Sequence, residues 1–130
     1  MKPAPAMKVR GIRGAITVDA NESEPIVSAT KRLLLEMIAR NAVDTEDIAS
    51  VLFSLTPDLH AVFPALGARE LGWIAVPMLH FTEINVPGSL PRVIRVLMHV
   101  NTLRSQTEIE HVYLEGATVL RPDLAHSATR

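Results

Sequence analysis

Residues 73–95, WIAVPMLHFTEINVPGSLPRVIR, decide how this chain folds. Ile74 to Leu79 is an apolar run of strand length. Pro77 inside it argues for an edge position or a bulge, because proline donates no ladder hydrogen bond. His80 closes the run, and Glu83 falls in the loop beyond. Pro87 and Gly88 turn the chain, and Ser89 can cap a helix. Leu90, Val93, Ile94, Leu97 and Val100 recur at helical spacing, so the pattern predicts a helix over 90–101 with Arg95 off its apolar face. A carboxylate and an arginine therefore flank one strand-loop-helix unit.

Upstream, Lys8 to Val18 (KVRGIRGAITV) reads as a strand. Gly11 and Gly14 weaken it and point to something approaching the backbone closely. Arg10 and Arg13, three apart, face opposite ways in a strand. Asn21 or Ser23 can cap a long helix whose stripe is Ile26, Thr30, Leu33, Leu34, Met37 and Ile38, ending near Asn41. Thr45 to Asp47 begins a short turn or one-turn helix, Val51 to Thr56 forms a second strand, and Ala61 to Leu71 a helix stopped by Gly72. Downstream, Ile109 to Gly116 reads as a last strand. The element order β-α-β-α-β-α-β predicts an α/β sheet with helices on a face, the other face being open to completion by another subunit.

The totals bound the function. One domain suits 130 residues. Residues 1–7 are expected to be a disordered leader, 8–124 the folded domain and 125–130 a loose tail. A net charge of -1 without a basic run argues against nucleic acid. No stretch approaches the roughly 20 apolar residues of a membrane span. The leader lacks the apolar segment of a signal peptide, so a cytoplasmic protein is expected. Without cysteine there is no thiolate chemistry. The five histidines have no metal-ligand spacing, and no nucleotide-loop or nucleophile-elbow pattern occurs. What remains are arginines near element ends (Arg13, Arg69, Arg95, Arg121), Glu83 and Tyr113. Singly, each is an ordinary surface or packing residue. Together they suit a small carboxylate-bearing anion, which arginine binds without being able to deprotonate and act as a base.

Three segments go further. VRGIRGAITV, SLTPDLHAVFPALGAREL and HVYLEGATVLRPDL resemble the monofunctional chorismate mutases of the trimeric α/β (AroH) class, collinearly from about Val9 to Leu124. The resemblance implies an α/β (α+β) fold in which a mixed sheet packs with one long helix and shorter helices, trimerising into a pseudo-α/β-barrel. It implies conversion of chorismate to prephenate by a Claisen rearrangement, in phenylalanine and tyrosine biosynthesis, without metal or cofactor, at sites between subunits of a homotrimer. Matched by position, Arg95 stands for the cation at the ether oxygen. Glu83 stands for the carboxylate facing the ring, Arg13 for a carboxylate grip and Tyr113 for its phenol partner. Phe63, Ala65 and Arg69 match positions supplied by the neighbouring subunit, and Leu120 with Arg121 match the C-terminal border. Two positions depart from the family pattern: His80 replaces a familiar cysteine near the ring hydroxyl, and Leu66 replaces a familiar lysine at the rim.

Two rivals from other classes are an imine or enamine deaminase of the related trimeric fold and a non-catalytic dicarboxylate-binding trimer. The quoted motifs disfavour the first. Arg13, Glu83, Arg95 and Tyr113 occurring together disfavour the second.

Overall fold

The computed structural model describes residues 6–121; the parts of the expected leader and tail beyond these lie outside the described residues. One mixed sheet has the strand order β3-β2-β4-β1-β5, with β1 Lys8–Thr17, β2 Ile48–Leu55, β3 Met78–Thr82, β4 Val93–Thr102 and β5 Val112–Leu114. Strand β4 runs antiparallel to both β1 and β2, while the outer pairs β1–β5 and β2–β3 are parallel. The helices α1 (Ser23–Arg40) and α2 (Ala65–Glu70) complete the architecture, with short 3-10 turns at Thr45–Asp47, Gln106–Glu108 and Glu115–Leu120. Among the described residues no helix is long and apolar enough to cross a membrane.

The stripe predicted for α1 is the core. Ile26, Leu33, Leu34 and Met37 are fully buried against Ile12, Ile16, Phe53, Val96 and Met98 of the sheet. The helix lies so near β1 that a Cβ on Gly14 would overlap Met37, which is the close approach expected there. Neither Asn21 nor Ser23 caps the helix. Glu22 holds the N-cap position, and Asn21 Oδ1 instead accepts the main-chain N–H groups of His60 and Ala61.

The stretch 73–95 departs most from its sequence reading. Residues 93–102 form β4, the central strand, rather than a helix. Their apolar residues satisfy two periods at once. Val93, Ile94, Leu97 and Val100 fit a helix, whereas Ile94, Val96, Met98 and Val100 alternate with Arg95, Leu97, His99 and Asn101. Alternation wins because β-branched residues pack well on a pleated surface and ladder partners exist on both sides. The third strand begins at Met78, four residues later than predicted, since the ladder starts only past Pro77, and it runs through Thr82 at the sheet edge. Helix α2 starts at Ala65, because Pro64 disfavours helix in the residue before it. The last strand stops at Leu114, where Glu115 takes a φ of 53° and turns the chain into 3-10 structure.

Candidate active site

Alternation gives each central strand a second face. Opposite the helices, Arg95 lies between Ala15 and Ser54, and Leu97 lies between Arg13 and Leu52. Tyr113 joins them beside Ala15. These side chains, with Phe81, Leu120 and Arg121, line an open cleft of about 560 Å³, a volume suited to a small organic ligand. Five residues singled out in the sequence thus meet here: Arg13, Arg95, Tyr113, Leu120 and Arg121.

Glu83 joins them through Arg95. The carboxylate oxygen Oε1 of Glu83 accepts from Arg95 Nε at 2.6 Å and from Ser54 Oγ at 2.8 Å. The Glu83 main-chain N–H donates to Leu55 O at 2.8 Å, fixing where the loop leaves β3. The Glu83 side chain is only 16% exposed and that of Arg95 44%. Glu83 is therefore an anchor, and Arg95 keeps its terminal nitrogens for the cleft. A charge-assisted bond to Nε fixes the guanidinium plane before any ligand arrives.

A second network sets the start of β4. The Asp58 carboxylate accepts the main-chain N–H of Arg92 at 3.0 Å, and Thr56 Oγ1 accepts that of Val93 at 3.0 Å. Arg92 Nε donates to Val18 O at 2.9 Å, and Arg92 holds a φ of 51°. The Thr56-Pro57-Asp58 motif thus fixes the strand two residues before Arg95. Sequence reasoning assigned no role to Ser54 or Asp58. For Ser54 the available signal was a polar residue within an apolar strand.

The remaining sequence candidates gather elsewhere. Phe63, Ala65, Arg69 and His80 line a smaller cleft of about 350 Å³ with Ile74, Val76 and Met78. Successive residues of β3 serve the two clefts: His80 pairs with buried Phe53 on the helix side, and Phe81 pairs with Ser54 on the open side. The His80 ring stacks on Phe53 at 5.2 Å and lies 5.0 Å from Phe63. Its Nε2 accepts the Ala65 main-chain N–H at 3.2 Å, which leaves the proton on Nδ1. Burial first, then the nearby Arg69 guanidinium, holds its pKa below the ordinary histidine value. His80 is therefore a neutral donor at pH 7. Leu66 does not line this cleft; it faces a groove with Lys31 and Glu70. Among the described residues no group of three or more His, Asp or Glu side chains could hold a metal ion.

One chain thus carries two half-clefts, one cationic with a partly buried carboxylate behind it, the other aromatic with a single arginine. Comparison with known proteins gives this arrangement a context. The family model for chorismate mutase type I matches residues 9–124. Chorismate mutase AroH of Bacillus subtilis is 51% identical over 120 residues, covering 92% of this chain and 94% of its own. Chorismate mutase AroH of Thermus thermophilus is 52% identical over 117 residues, covering 89% and 96%. A solved chorismate mutase from Clostridium thermocellum superposes with a TM-score of 0.84 at 48% identity, over 85% of this chain and 98% of that one. With its fold and nearly all of its length matched, the chain belongs to the type I chorismate mutase family.

Proposed function

We propose that the open-face cleft is the active site of a chorismate mutase, converting chorismate to prephenate in phenylalanine and tyrosine biosynthesis. One observation carries the assignment of roles: Glu83, itself held by the Ser54 hydroxyl, fixes Arg95 through Nε, and Arg95 lines a cleft that Arg13 and Tyr113 also line. The catalytic unit is residues 8–124, and its expected compartment is the cytoplasm.

The chemistry suits these residue types. A pericyclic rearrangement breaks a C–O bond and forms a C–C bond in one step, with no nucleophile and no proton transfer. No step calls for a metal or cofactor. The flexible enolpyruvyl chain must be held over the ring, and carboxylate grips at Arg13 and Tyr113 supply that positioning. As the C–O bond breaks, negative charge grows on the ether oxygen and positive charge on the ring. Arg95 meets the first, and Glu83, which anchors Arg95 through Oε1, is the carboxylate assigned to the second by its match to the family pattern. Because both are already fixed, the transition state gains more than the substrate does.

The reading includes a homotrimer whose sites lie between subunits. Two features support it. Arg69, Phe63, Ala65 and His80 open on the helix side of the sheet edge, away from Arg95, so they reach its ligand only from another copy. Along that edge Phe63, Ile74, Leu79, Phe81 and Ile84 are each at least half exposed, a large apolar surface for a monomer. In the assembled site, His80 Nδ1 would donate to the ring hydroxyl, and Leu120 with Arg121 would border the mouth.

The test is incubation of purified protein with chorismate. Loss of chorismate matched by formation of prephenate is expected. Chorismate left unchanged by folded protein overturns the assignment.

A further inference from the structure

His111 is absent from the residues assigned above, yet it touches one of them through the main chain. Strand β5 pairs with β1 in parallel from Gly14↔Val112 onward, so Arg13 and His111 stand one position before the ladder begins. The Arg13 N–H finds no strand carbonyl there. It donates instead to His111 Nδ1 at 2.9 Å. A bare Nδ1 requires the proton on Nε2, so this hydrogen bond selects one neutral tautomer. We propose that His111 is a positioning residue for substrate binding: its imidazole extends the β1–β5 ladder by one bond and so fixes the backbone from which Arg13 enters the cleft.

The geometry gives this bond leverage. Arg13 and Tyr113 both line the cleft, and they sit on the two strands that the bond joins. Val112 and Tyr113 follow His111 directly, at the parallel partners of Gly14 and Ala15. Without the acceptor, the ladder would end at Val112 and the Arg13 backbone would lose its tie to β5. The half-buried ring is kept neutral by its burial and by the guanidinium groups of Arg13 and Arg121. Protonation would put a hydrogen on Nδ1, facing the Arg13 N–H, and the bond could not form. This inference rests on the carboxylate-gripping role proposed for Arg13 and assigns His111 the task of holding it.

Steady-state kinetics of His111→Ala, His111→Asn and Arg13→Ala provide the test, with amide exchange of Arg13 as a second readout. His111→Ala is expected to raise KM for chorismate roughly fivefold, the size of one neutral hydrogen bond, with kcat nearly retained, because a grip on substrate and transition state alike acts on KM. His111→Asn, whose side-chain oxygen lies as many bonds from the main chain as Nδ1, is expected to recover most of that loss and to keep the Arg13 amide protected. A KM unchanged in His111→Ala, or equal impairment in the alanine and asparagine variants, would overturn the proposal. Should His111→Ala fail to fold, nitrogen-15 NMR of the wild-type imidazole decides: protonated Nε2 with bare Nδ1 at pH 7.5 supports it, and the opposite tautomer overturns it. Arg13→Ala separates the two levels. If it leaves KM unchanged, the carboxylate-grip reading fails. If it raises KM while His111→Ala does not, only the positioning inference fails.

Discussion

The two faces of the sheet are made by the same strands and follow different rules. On the helix side, Ile12, Phe53, Val96 and Met98 are at most 3% exposed, and the packing against Leu33 and Met37 admits no Cβ at Gly14. On the open side, the alternate residues Arg13, Ser54, Arg95 and Tyr113 carry the charges and hydroxyls, with Leu52 and Leu97 as partly exposed floor. One face packs the apolar core and the other presents polar groups to the cleft. On the proposed assignment of the site, the difference teaches that stability and catalysis are separable, residue by residue, along a single strand.

Substitutions on the two faces should therefore have opposite signatures. Leu33→Ala, beneath the sheet, is expected to cost about 2–5 kcal/mol in chemical unfolding through the cavity it leaves, with turnover per folded molecule little changed. Equal loss of turnover and stability would break the separation. Arg95→Ala, on the open face, is expected to lose roughly 100- to 1,000-fold in kcat, about 3–4 kcal/mol of transition-state stabilisation, as when a preorganised donor is removed. Its unfolding free energy should move by much less. A loss of only a few-fold would mean that Arg95 is not the cation at the ether oxygen. Ser54→Ala removes one of two partners of Glu83 Oε1 and leaves the Arg95 pair. It should lower kcat/KM several-fold, on the order of 1 kcal/mol, and a wild-type value would show that Glu83 needs no hydroxyl.

The smallest effect concerns pH. His80 and His111 both have pKa values lowered in the folded protein, mainly by burial. The unfolded chain then binds protons more readily, so stability is complete above the unfolded value near 6.5 and falls as pH drops from there toward the folded values. Unfolding midpoints at pH 7.5 and 5.5 should show this loss, and His80→Asn should reduce it. An equally steep loss in the variant would remove His80 from the account.

Much of this was legible in the sequence, for physical reasons that differ by element. Helix α1 has an 18-residue span with one apolar period, and nothing competes with it. Pro77 argued for an edge or a bulge, and β3 is one of the two edge strands. The segment 93–102 was not legible from spacing, because Ile94 and Val100 fit both periods. Its β-branched content and the sheet's need for a central strand settled it as β4. The open-face arginines were legible as charges near element ends, but their grouping depends on ladder register, which spacing does not encode. The separation of His80 from Arg95 was hidden for the same reason: adjacent residues of β3 face opposite sides of the sheet. His111 and Ser54 make single hydrogen bonds, to the Arg13 main chain and to Glu83, and no motif announces such contacts.

The central claim is that catalysis belongs to the open face of one chain completed by the helix-side cleft of another. Mixing Arg95→Ala protein with Arg69→Ala protein, after subunit exchange verified by mass, tests it most directly. Neither variant alone holds an intact site, but after statistical exchange of equal amounts each mixed trimer would have one site combining a native Arg95 with a native Arg69, about a quarter of all sites. Recovery of activity toward that fraction is the expected result. Verified exchange with no recovery would contradict the shared site.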